Sequence, residues 1–146
     1  MIDTANELGQ KSVDGYGFSP TGLTPALFLG SVDGHIVVPT ARYIRQSEPI
    51  FSVPLLPAQY ARMDAIRTAW SRGKGSRYNL NDRNCVHFIG EIAQAAGLDV
   101  NPDSPNFKKP EAYLREVMAL NPGVTPVEKG SERIVAAAVS AASGRR

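Results

Sequence analysis

A chain of 146 residues, 42% hydrophobic and 21% charged, has the composition of one globular domain with a sizeable core. A net charge of +2 is too small to argue for a nucleic-acid partner, and no apolar run approaches the roughly 18 residues that a transmembrane helix needs. The single cysteine excludes an internal disulfide and fits a reducing compartment.

The first ten residues carry Asp3 and Glu7 and no apolar centre, so they do not read as a secretory signal peptide. The chain is expected to be made as a cytoplasmic protein, with signal-independent export left open. Residues 1–14 are polar and show no start signal for any element. Tyr16-Gly17-Phe18-Ser19-Pro20 alternates as a short strand running into a turn would. The apolar runs Pro25–Val32 and His35–Val38 flank Asp33-Gly34, a strong turn signal, and together suggest a hairpin. Ile50–Leu55 reads as a further strand, placed at an edge by Pro54.

Pro57 then opens a helix at the position where proline is tolerated. Tyr60, Met63, Ile66 and Trp70 recur at helical spacing, and Gly73-Lys74-Gly75 ends the run. Arg72, Lys74, Arg77 and Arg83 cluster after it, either as a solvated loop or as a lure for an anionic partner. The polar stretch Asn79–Asn84 halts the chain before a second apolar, helix-periodic run, Val86, Ile89, Ile92, Ala93 and Ala96, with Gly97 as its C-terminal stop. Pro110 starts a third helix, with Tyr113, Leu114, Val117 and Met118 on its apolar face and Asn121-Pro122-Gly123 closing it. Strands first and helices afterwards predict an α+β fold over residues 1–123, with the alanine-rich residues 124–146 as a peripheral helix or tail.

Cys85 is the candidate nucleophile. Asn84 or Asp82 is a natural N-cap, which puts Cys85 at or near the first helical position. The helix dipole and Arg83 would both favour a thiolate there. Against this stands the tendency of free cysteines to be buried and inert. A cysteine nucleophile needs a base, and the chain has two histidines. His87 follows Cys85 by two residues, about 200° around a helix, so a structural role suits it better. His35 comes from a strand and could reach a helix N-terminus, or it is a histidine beside a turn. No Cys/His set has zinc spacing and no glycine loop suits a phosphate, so no metal or cofactor is expected.

Asn84-Cys85-Val86-His87-Phe88, with Tyr78-x-Leu80 before it and Ala95-x-Gly97-Leu98 after it, resembles the papain-like NlpC/P60 superfamily in its circularly permuted branch. That branch includes the lecithin:retinol acyltransferase-like and PPPDE-type proteins and bacterial relatives. The resemblance spans about residues 15–98, with Tyr16–Pro20 similar to the strand that follows the histidine strand in the bacterial relatives. It implies a papain-like, NlpC/P60-type fold, with a small antiparallel sheet packed against helices, and a cysteine peptidase or amidase. Cys85 would be the nucleophile and a histidine the base. A peptide or peptidoglycan-like crosslink is the implied substrate, and acyl transfer to or from a lipid the runner-up chemistry. In the relatives the histidine lies upstream of the Tyr-Gly-Phe strand, where Met1–Gly15 has none. Three readings stay open: His35 substitutes, the base lies upstream of a Met1 that is not the native start, or the base is lost and the fold serves as a catalytically inactive binding module.

Overall fold

The computed structural model describes residues 2–5 and 11–127. It is an α+β arrangement of short antiparallel sheets and helices. β1 (Ile2–Ala5) pairs antiparallel with β2 (Lys11–Asp14), in a stretch whose polar sequence announces no element. The sheet that matters for the site follows. β3 (Gly17–Pro20) runs antiparallel to β4 (Val32–Val37), with Phe18 opposite Ile36 and Ser19 opposite His35. β4 pairs on its other edge with β6 (Arg77–Tyr78), Val32 opposite Tyr78. β5 (Phe51–Ser52) pairs with β7 (Thr125–Pro126) in a separate two-stranded piece.

The expected hairpin at Asp33-Gly34 is not there. Those two residues lie inside β4, and the apolar run before them forms the single helical turn α1 (Ala26–Leu29). The glycine is required by packing and not by a turn. A Cβ at Gly34 would stand 2.5 Å from Phe18 Cζ and 3.0 Å from Tyr78 Cβ, so only a bare backbone fits under that aromatic pair. α2 (Ala41–Gln46) is a short helix that the sequence reading missed, although Thr40 caps it by accepting from the Tyr43 N–H at 3.2 Å.

α3 (Pro57–Trp70) begins at Pro57 as expected, with the Gln59 carboxamide oxygen accepting from the Leu56 N–H at 2.7 Å. α4 (Cys85–Ala95) is the central helix, and α5 (Pro110–Leu120) packs on its outer side. On the sheet side, Phe88 of α4 joins Phe18, Trp70 and Tyr78 in an aromatic cluster, in which Phe18 meets Trp70 edge-on at 4.8 Å between ring centres. On the other side, Val86 and Ala93 pack against Tyr113 and Val117 of α5. The C-terminus of α4 closes in a Schellman motif: Gly97 N–H donates to Gln94 and Leu98 N–H to Ala93, with Gly97 at φ +83°.

The Glu116 carboxylate of α5 accepts from the Asn101 and Asn106 amides and the Ser104 hydroxyl. These bonds, the Ser104 hydroxyl's first, hold that carboxyl below the usual range and staple the 101–106 loop to α5. The expected break at 123/124 is bridged, since Val124 is buried and Thr125–Pro126 pairs with β5. The alanine-rich segment lies outside the described residues. Among the described residues, no helix is long and apolar enough to cross a membrane.

Candidate active site

The loop that feeds α4 is built from asparagines. Asn79 and Arg83 exchange backbone hydrogen bonds at 3.0 Å, and the Asn79 side-chain oxygen accepts from the Asn81 and Asp82 N–H groups. This closed turn sets Asn84 down as the N-cap. Its side chain is 3% exposed. The Asn84 Oδ1 accepts from the N–H groups of Val86 (2.8 Å) and His87 (3.2 Å), while Nδ2 donates to the carbonyls of Leu80 (2.9 Å) and Phe107 (2.7 Å). One amide thus satisfies two orphan donors of the helix start and ties the preceding and following loops to it. Asn84, anticipated as a possible cap, is the structural pivot of the site.

Cys85 is the first residue of α4, as its sequence setting suggests. It is half-buried against the α5 cluster. Its thiol pKa is nonetheless raised. Burial dominates, and the pull of the Cys85 and Val86 backbone N–H groups and of the Tyr78 hydroxyl does not offset it. Burial, then the neighbouring Cys85, likewise pushes the Tyr78 phenol up. The expectation of a lowered thiol pKa at the helix start is therefore not met: burial outweighs the neighbouring hydrogen-bond donors. Arg83 gives no remedy, because its guanidinium lies 3.6 Å over the Trp70 ring, a cation–π seat. Arg77 is likewise engaged, with Asp33 at 2.5 Å and the Ser31 carbonyl. Arg77 and Arg83 thus both have internal partners.

Neither histidine is brought to Cys85. In β4, Val32 and Ile36 pack on the aromatic cluster and Gly34 faces Phe18 and Tyr78, so the alternating residues Asp33 and His35 project from the opposite face. Tyr78, across from Val32, lies on the core face with Cys85. The sheet stands between His35 and the sulfur. His35, the histidine considered as a base for Cys85, is exposed and sits across from Ser19 on the face of β4 away from the aromatic cluster.

His87 has a structural post in the helix cap. Its Nδ1 accepts from the Asn84 backbone N–H at 3.2 Å, completing a reciprocal cap. The same Nδ1 stands 3.0 Å from Asn84 Oδ1, so which of the two contacts is a hydrogen bond depends on the tautomer of the ring. The ring stacks on Phe107 with centres 4.5 Å apart and planes 6° from parallel. Burial, the leading cause, lowers its pKa below the usual imidazole value.

Among the described residues, no group of three His, Cys, Asp or Glu side chains could hold a metal ion. No protein-family model matches the chain, and neither do any curated protein or any solved structure.

Proposed function

We propose that Cys85 is the nucleophile of a papain-like cysteine hydrolase site acting on an amide bond, with a peptidoglycan-type peptide as the substrate class and with neither His35 nor His87 as its base. What carries this reading is the position of Cys85 at the first residue of α4, with its sulfur close to two backbone N–H groups and the Tyr78 hydroxyl. Attack of the sulfur on a carbonyl would leave the developing oxyanion beside the positive end of the α4 dipole, where fixed donors stabilise it. The resting thiol is protonated, so the site needs a proton acceptor that these two histidines do not provide. Of the residues described, Tyr78 touches the sulfur, but as a phenol with a raised pKa it donates to it and is a poor acceptor.

The second reading is a papain-like fold used as a binding module without catalysis. It is favoured by the raised pKa of Cys85 and by the committed or misplaced histidines. The two readings part under chemical rescue with free imidazole, using p-nitrophenyl acetate as the acyl donor. A nucleophilic site predicts a saturable, imidazole-dependent release of p-nitrophenolate above the Cys85→Ser background, with acetyl trapped on the sulfur as a thioester. Equal rates for the native chain and Cys85→Ser at every imidazole concentration would leave only the binding reading.

A further inference from the structure

The most exposed large apolar side chains gather near one place. Leu23 is 91% exposed, Leu29 88% and Phe28 81%, all on or just before the α1 turn. Phe28 and Leu29 line a cleft of about 400 Å³ together with Leu80, Asn79, Asn81 and Lys108. Cys85 does not line it. Leaving such side chains in water forgoes roughly 1.5–3 kcal/mol each relative to full burial, so an apolar group seated against them is favoured.

The polar side chains of the cleft are weighted toward donors. Asn79 Oδ1 accepts from two backbone N–H groups, and Asn81 Oδ1 accepts from Lys108 Nζ at 2.6 Å. Donors remain. Lys108 carries three N–H groups and uses one, and the Asn81 amide has its NH2 to give. A cleft that combines apolar side chains with these donors and one positive charge complements an anion on an apolar stem.

We propose that this cleft binds a carboxylate carrying an apolar substituent, with the carboxylate taken by Lys108 Nζ and the Asn81 amide and the substituent laid along Phe28, Leu29 and Leu80. The inference goes beyond the Cys85 reading and does not depend on it. Two sources share the chemistry: an aliphatic acid, and the free C-terminus of a peptide ending in an apolar residue.

The test is a titration of the 146-residue chain followed by amide chemical shifts. Octanoate is compared with neutral 1-octanol, and N-acetyl-alanyl-phenylalanine with its C-terminal amide. The carboxylate member of at least one pair should perturb Leu80 and Asn81, bind more tightly than its neutral partner, and weaken with added salt. The pair that binds more tightly names the source. Lys108→Gln, at an exposed position, should keep the native spectrum and weaken the carboxylate by about three- to fivefold, the scale of an exposed charge pair. Phe28→Ser should weaken it by about tenfold, the scale of one buried apolar side chain. Equal affinity for charged and neutral members, no binding by either carboxylate, shifts confined elsewhere, or an unchanged Kd in folded Lys108→Gln would each overturn the proposal.

Discussion

The start of α4 and the middle of β4 each carry one of the two residues expected to work together, and they are built on opposite terms. At the start of α4 a polar cap sets the geometry: the Asn84 side chain bonds the Leu80 and Phe107 carbonyls and the Val86 and His87 N–H groups, and His87 packs on that cap and stacks on Phe107. In β4 the constraint is steric, with Gly34 pressed under Phe18 and Tyr78, and His35 one residue along turned away from the core as a result. The helix start fixes Cys85 in place. The strand fixes His35 out of reach.

This contrast can be broken first at its strongest point. Asn84→Ala removes a cap and leaves the Leu80 and Phe107 carbonyls and two N–H groups without their partner, so it should cost about 3 kcal/mol of folding stability in urea. A loss under about 1 kcal/mol would mean that water or backbone takes over those bonds readily. Gly34→Ala comes next. The added methyl meets an aromatic ring and a neighbouring Cβ with little room to yield, and should cost about 2 kcal/mol. Stability unchanged by that substitution would show that β4 is not pinned in its present register.

Smaller effects sharpen the comparison. The folded state holds His87 neutral below the usual imidazole pKa, so the unfolded chain takes up the proton first as pH falls. The His87 contribution is fully present above the unfolded pKa of about 6.5 and is lost as pH falls from there through the folded value. Urea midpoints across pH 7.5 to 5 should decline for the native chain, and His87→Gln should flatten part of that decline. The smallest effect belongs to His35→Ala, which should alter stability by no more than about 0.5 kcal/mol, as expected for an exposed side chain away from special features.

What the sequence discloses follows from the range of the forces involved. The helices α3, α4 and α5 were legible because proline starts, glycine stops and apolar spacing are local signals, and so was the Asn84 cap with Cys85 behind it. Asp33-Gly34 misled because its glycine answers to Phe18 and Tyr78, residues distant in the chain, and not to its neighbours. His35 went with it, since strand parity assigns its face once Gly34 is inward. The pKa of Cys85 is hidden for a related reason: the helix start is written in the sequence, but the burial that raises the thiol comes from tertiary packing in the cluster shared by α4 and α5. The β1–β2 pairing and α2 carried too little apolar pattern to be seen.

What stands to be tested is a half-buried Cys85 thiol with no ionisation partner in His35 or His87. Its most direct test is the rate of alkylation by iodoacetamide across pH 5 to 10, for the native chain and for His35→Ala. The expected result is one ionisation above the ordinary cysteine value of about 8.5, a rate at pH 6 no faster than that of free cysteine, and superimposable profiles for the two proteins. An ionisation below that value, or a profile that shifts when His35 is removed, would contradict it.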